Sequence, residues 1–256
     1  MCFFIDEDSK GKILVKTILK EEKMSIKLEQ VTKIYQAGEV ETIALKSVDL
    51  EIEKGEVVVL LGPSGSGKST MLNVCSGLDN PTSGVITIDG EVISSMSSKE
   101  LTKFRRDNLG FIFQQYNLLQ TLSVRENVEV GREVSLDPFT VEEIIEQVGL
   151  TPNMEKFPFQ LSGGEQQRVS IARAIVKKPK IMFCDEPTGA LDEENAKEIL
   201  GVIQKLNETY NTTVILITHN SSIGVMADRI VKLNSGEVIE VIVNKNKLRA
   251  SEIVWG

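Results

Sequence analysis

Nine consecutive residues, Gly62-Pro63-Ser64-Gly65-Ser66-Gly67-Lys68-Ser69-Thr70, constrain this chain more than any other stretch. They fit G-x-x-x-x-G-K-[ST], a pattern that carries meaning only between a strand and a helix. Both neighbours are present: the apolar run 57–61 stands before it, and a helix-compatible run, 70–78, follows. Glycines let the backbone turn without a Cβ clash, so successive N–H groups can converge on one anion. The unsatisfied donors and dipole of the following helix add to the same site. Lys68 is expected to reach the β- and γ-phosphates, and Ser69 to ligate Mg²⁺. By itself the loop specifies a bound nucleoside triphosphate and says nothing about the reaction.

The elements around the loop follow from period and punctuation. From Ile26 the apolar period is two, with Ile26, Leu28 and Gln30 on one face; later Val48, Leu50 and Ile52 alternate with acidic residues. These read as half-buried antiparallel strands. Lys54-Gly55 turns the chain into 57–61, whose unbroken apolar character suits a central strand covered on both faces. Asn80-Pro81 and Ser83-Gly84 mark a loop, 85–88 a strand, and Asp89-Gly90 a hairpin turn. Ser97-x-x-Glu100 is a capping box that opens a helix through Arg106, and 109–113 is another short buried strand.

Residues 115 to about 160 carry no strand signal. Thr140-x-x-Glu143 is a second capping box there, Ile144, Ile145 and Val148 stand at helical spacing, and Gly149 is the expected C-cap. Alternation then resumes, with helices at 163–177 and 193–208, strands at 181–184 and 214–218, a helix near 221–227 and a hairpin across Asn234-Ser235-Gly236. Helices between buried strands imply a parallel sheet. The expected fold is α/β, with a mainly parallel sheet, an antiparallel β subdomain and an inserted helical subdomain. Residues 1–23 are expected to be a loosely attached tail or the product of an upstream start codon, because Phe3-Phe4-Ile5 followed by Asp6, Glu7 and Asp8 has the wrong charge order for an export signal. Residues 244–256, with Lys245, Lys247, Arg249 and the only tryptophan, Trp255, are expected to be a tail or a docking segment.

Two further stretches carry chemistry. Ile181-Met182-Phe183-Cys184-Asp185-Glu186 is an apolar run that ends in two acids. A buried strand ending in a carboxylate places a hard oxygen ligand at the sheet edge where the phosphate loop also lies, so Asp185 is expected to hold Mg²⁺. Glu186, one residue on, is placed to orient or deprotonate an attacking water. The third stretch is Leu161-Ser162-Gly163-Gly164-Glu165-Gln166-Gln167-Arg168. Ser162-x-x-Glu165 is a capping box, yet each of two glycines in a first turn costs roughly 0.8–1 kcal/mol against alanine in a helix interior. They make sense where something approaches the backbone closely, and a helix N-terminus with a serine hydroxyl is a second anion site.

The phosphate loop, LSGGE, Asp185-Glu186 after its apolar run, Ala190-Leu191-Asp192 and Thr218-His219 stand in the order and spacing of the ATP-binding-cassette (ABC) ATPases. The resemblance covers about 24–243. It implies a P-loop NTPase core at 24–114 and 166–243, a helical subdomain at 115–165 that carries the signature, and tails at 1–23 and 244–256. It also implies roles: Tyr35 stacking on adenine, Gln114 linking Mg²⁺ and the attacking water to the insert, and Ser162, Gly163 and Gly164 capping the γ-phosphate of an opposite subunit, with Glu165 beside them in the nucleotide-binding set. Asp192 resembles the acid that crosses the dimer interface, and His219 the histidine that contacts the γ-phosphate. Lys68, Gln114, Glu186 and His219 are thus the expected catalytic set, with Ser69, Gln114 and Asp185 on the metal. Two copies would pair head-to-tail around two ATP molecules.

Leu109-Gly110-Phe111-Ile112-Phe113-Gln114, Tyr116-Asn117-Leu118-Leu119, Glu126-Asn127-Val128 and Asp185-Glu186-Pro187-Thr188-Gly189 resemble the ATPase subunits of the macrolide-exporter, lipoprotein-release and antimicrobial-peptide-resistance group. Gln120 and Ala190 depart from that group's common proline and asparagine, and the insert is short. No apolar run approaches the ~20 residues that span a bilayer, so the resemblance implies a cytoplasmic subunit held at the inner membrane face by a separate permease, contacted through 115–160. The net charge of −8 argues against nucleic acid as a partner. Cys2, Cys75 and Cys184 lack metal-type spacing and read as reduced thiols, the last two as small buried residues. Export of a peptide, antibiotic or lipid-type substrate is the leading expectation. An ABC ATPase that drives or signals to an envelope protein without transport is the alternative. A soluble non-transport ABC ATPase fits less well, because 46 residues between Gln114 and Leu161 leave no room for a long coiled coil.

Overall fold

The computed structural model describes residues 24–255. Expectations for 1–23 lie outside the described residues. Two sheets form the frame. β1 (Met24–Ala37) and β2 (Val40–Glu53) pair antiparallel, and β4 (Ser83–Ile88) and β5 (Glu91–Val92) complete a sheet of order β2-β1-β4-β5. The second sheet, of order β10-β9-β3-β8-β7-β6, contains β3 (Val57–Leu61), β6 (Leu109–Phe113), β7 (Ile181–Asp185), β8 (Thr213–Thr218), β9 (Arg229–Asn234) and β10 (Glu237–Val243). All its pairings are parallel except β9 with β10. β1 and β2 are longer than the alternating stretches suggest. Gln30 and Ser47 adopt left-handed φ values of 50° and 48°, and the pairing shifts register between Leu28 and Val31. A bulge flips the face of every residue beyond it, so a strict period of two ends there although the strand continues.

The unbroken apolar run of β3 has a direct structural cause. Val57, Val59 and Leu61 point into one core with α5 (Gly163–Ile175) and α6 (Glu193–Tyr210), while Val58 and Leu60 point into another with β1, β4, α1 (Lys68–Cys75) and α2 (Ser98–Asn108). Both faces are covered, so neither tolerates a polar residue. Cys75 and Cys184 are buried in these two cores, and burial pushes the Cys75 thiol up to about 12.

Residues 115–165 contain α3 (Val124–Glu133), α4 (Val141–Gln147) and short 3₁₀ turns, with no strand. Their apolar side chains, among them Val128, Ile144 and Leu161, belong to the same core as Val57, Val59 and Ile199. The predicted helix near 221–227 is a 3₁₀ turn, Ser221–Met226.

Residues 244–255, expected to be a tail or a docking segment, pack against this chain. Asn244 Nδ2 donates to the carbonyls of Gly224 (2.9 Å) and Ala227 (2.8 Å), Arg249 pairs with Glu208 of α6 at 2.6 Å, and Ala250 and Ile253 are buried. The segment docks on this chain's own α6. Its apolar residues are too few and too widely spaced to register as a period, and the segment is held by two elements, the 3₁₀ turn through Asn244 and Leu248 and α6 through Arg249 and Ala250.

Candidate active site

The phosphate loop joins β3 to α1, and two neighbours and one of its own side chains shape it. Gly67 has φ 104°, and a Cβ there would lie 2.6 Å from the Ala44 carbonyl oxygen, so the turn requires glycine. The carbonyl of Ser66 accepts from the Gly236 N–H at 3.0 Å, which docks the loop on the β9–β10 hairpin. The buried Lys68 donates from Nζ to the carbonyls of Gly62 (2.6 Å) and Pro63 (2.9 Å). An ammonium has three donors, so two fix its position and one remains for a ligand in the cradle.

A cleft of about 420 Å³ opens over this loop. Ser64, Gly65, Gly67, Lys68, Ser69 and Thr70 line one side, and Asp185, Glu186 and His219 line the other. The topology accounts for the convergence. β3, β7 and β8 are adjacent or next-adjacent parallel strands in register, so their C-terminal ends bring the loop, the acid pair and the histidine to one edge. Thr42, Ile43 and Ala44 of β2 and Ile217 of β8 also line the cleft, and sequence reasoning missed them. Ile43 is a half-exposed apolar residue on a strand beside the loop, a pattern visible only once β1–β2 pairing is known.

Burial, then the neighbouring charge of Glu186, raise the Asp185 carboxyl above its ordinary value, and Lys68 opposes them. Glu186 stands at φ 49°, an uncommon left-handed conformation for a side-chain-bearing residue. Its N–H donates to the Ile217 carbonyl at 3.0 Å, its carbonyl accepts from Gly189 N–H at 3.0 Å, and its Oε1 lies 3.0 Å from His219 Nδ1. The imidazole is largely exposed at the cleft mouth.

The remaining expected residues sit at other distances from this centre. Tyr35 pairs across the strands with Thr42, so it stands at the cleft rim and does not line it. Its hydroxyl donates to Asp79 at 3.0 Å, and Lys33 Nζ lies 4.9 Å from its ring centroid. Gln114 follows β6 and packs against Gly189, where a Cβ would come within 2.9 Å of Nε2. Ser162 and Glu165 form the predicted capping box: Ser162 N–H donates to Glu165 Oε2 at 2.7 Å and Ser162 Oγ accepts from Glu165 N–H at 3.3 Å. Asp192 caps α6 by accepting from the backbone and side chain of Asn195 at 3.0 and 2.7 Å. The two glycines do face close approaches. A Cβ on Gly163 would lie 2.9 Å from Tyr116 Oη, and one on Gly164 2.6 Å from Asn195 Oδ1, both from this chain. None of Ser162, Gly163, Gly164 and Glu165 lines the cleft over Lys68.

A family model described as "ABC transporter" matches residues 45–189, more than half the chain. The chain belongs to the ABC transporter family. Within it, this cassette is the ATP-binding, ATPase component. A putative ABC transporter ATP-binding protein of Mycoplasma pneumoniae, the MG065 homolog, is 41% identical over 242 residues, 93% of this cassette and 52% of that protein. The cassette thus spans about half the length of that relative. The bacitracin export ATP-binding protein BceA of Halalkalibacterium halodurans is 40% identical over 201 residues, 76% of this chain and 79% of that protein. The solved dimeric structure of the ATP-binding cassette MJ0796 in a post-hydrolysis state bound to ADP and Pi superposes with a TM-score of 0.77 at 42% identity, covering 85% of this chain and 98% of that one.

Proposed function

We propose that the cassette binds and hydrolyses two ATP molecules at a head-to-tail dimer interface and so drives a separate membrane permease that exports a peptide, antibiotic or lipid-type substrate. One observation carries the dimer: the cleft gathers Lys68, Ser69, Asp185, Glu186 and His219 but none of the chain's own Ser162–Gly164. A second copy supplies that anion-binding helix N-terminus, and the dimeric MJ0796 cassette is a relative that pairs. The N–H groups of 64–70 and Lys68 hold the phosphates, and the ring of Tyr35 takes the adenine. Glu186, with His219 at 3.0 Å, receives the proton of the attacking water. Asp192 crosses to the partner.

The donor set fits Mg²⁺. Among the described residues no cluster of three His, Cys, Asp or Glu side chains could hold a metal by itself. Asp185 and Glu186 nevertheless put two carboxylates in the cleft that Lys68 and Ser69 also line, a hard-oxygen set beside the phosphate loop. Magnesium takes one or two protein oxygens plus substrate phosphates, so Ser69, Asp185 and Gln114 would hold it, and when bound it neutralises charge on the phosphates.

Closure reaches the permease through Gln114 and 115–160, where Phe157 and the largely exposed Phe159 stack at 5.8 Å beside the signature. No helix among the described residues is long and apolar enough to cross a membrane. The proposed permease holds the cassette on the inner face. The export reading draws on the BceA relative. Affinity purification of the tagged cassette from detergent-solubilised membranes tests it. Recovery of an integral-membrane permease that raises the cassette's ATPase rate is expected. Recovery of ribosomal or DNA-bound proteins alone contradicts it.

A further inference from the structure

Gln167 lies one turn into α5, the helix whose N-terminus is the Ser162-Gly163-Gly164 signature, and it is completely buried. Its Nε2 donates to the carbonyl of Pro187 at 2.8 Å and approaches that of Phe113 at 3.4 Å. Two carbonyl oxygens around one terminal atom fix the amide orientation, since the flipped amide would set oxygen against oxygen. Phe113 immediately precedes Gln114, and Pro187 immediately follows Glu186. A single amide on the signature helix therefore grips the backbone beside both residues expected to handle the attacking water.

Packing alone does not explain this side chain. A methionine or leucine would fill the same volume without taking an amide out of water. The glutamine also leaves Oε1 buried with no hydrogen-bond partner among the described residues, and an orphaned buried acceptor in a folded chain calls for a reason. The neighbouring contacts run the same way: Tyr116 lies against Gly163, Asn195 joins Asp192 to Gly164, and Arg173 of α5 donates to the carbonyls of Tyr116 and Asn117 at 3.0 and 2.7 Å. The helix that serves the partner's nucleotide is thus tied to the loops that serve its own.

We propose that Gln167 is a positioning residue that couples the two ATP sites: its amide makes the placement of Gln114 and Glu186 in one site depend on engagement of the same subunit's signature with the other. This rests on the two-site dimer proposed above. The test is Q167M, which keeps length and volume and removes the donor, assayed for ATPase rate against ATP concentration, nucleotide affinity and melting temperature. With folding and affinity intact, kcat should fall roughly tenfold, KM stay within about twofold, and the Hill coefficient drop to about one. Wild-type kcat and Hill coefficient would overturn the coupling role. A loss of kcat that merely follows loss of affinity and melting temperature would also overturn it, by making Gln167 a packing residue. Should Q167M not fold, Q167L is read by the same criteria, and failure of both to fold likewise assigns Gln167 to packing. An ATP-dependent dimer of Glu186→Gln separates the two claims: without that dimer the two-site reading itself fails, and with it only the coupling is at stake.

Discussion

Lys177, two residues past the end of α5, shows how a partly buried amine writes a pH dependence into the fold. Burial lowers its pKa from the ordinary 10.5 to about 8, with Asp107 partly opposing, and its Nζ lies 3.4 and 3.3 Å from the carbonyls of Arg105 and Arg106 at the end of α2. A depressed folded pKa means that the unfolded chain binds more protons between the two values. The linked stability is therefore complete above about 10.5, grows between about 8 and 10.5, and is lost as pH falls through about 8. Lys177→Met should remove this slope. Urea denaturation at several pH values should show wild type gaining on the variant, by on the order of 2 kcal/mol, across that window. At this scale the sequence was most legible where contacts are local: Lys68 is where its pattern puts it, held by the carbonyls of Gly62 and Pro63 in its own loop. Thr42, Ile43 and Ala44 were not, because only strand pairing brings them to the cleft.

Helix ends were readable wherever a cap is local, and less so where tertiary contacts decide. The boxes at Ser97 and Ser162 form as their spacing implies. The Thr140 box forms only from the threonine side, its Oγ1 accepting from Glu143 N–H at 3.3 Å. A complete box at Ser123 opens α3 and went unread, since Ser123 follows a loop with no apolar period to announce a helix. That loop is held by Asn127, a buried residue of α3 that accepts from Leu119 N–H at 2.9 Å and donates to the carbonyls of Leu119, Leu122 and Ser123 at 3.1, 3.0 and 2.9 Å. Its motif was visible in the sequence, but its work was not, because the carbonyls it gathers come from an irregular turn. Asn127→Ala should cost about 2–4 kcal/mol in denaturant unfolding and speed exchange of the Leu119 amide. Unchanged exchange there would show that the loop holds itself.

For the whole molecule, the class of fold was legible because β3 must be apolar on both faces and the phosphate loop must sit at a strand end. Whether 244–255 is a tail or a docked segment was not, since its α6 partners Glu208 and Gln204 meet it only in the fold. The cassette's central property is also a property of surfaces: the cleft over Lys68 lacks the chain's own signature, and a charge of −8 on each copy gives no electrostatic gain to pairing without ligand. ATP should therefore be the link between copies. Light scattering of Glu186→Gln with and without ATP measures this directly. The expected result is a monomer without nucleotide, a dimer of twice the monomer mass with ATP, and hydrolysis reduced by roughly a hundredfold or more. A species that stays monomeric at saturating ATP, or that turns over at the wild-type rate, would contradict it.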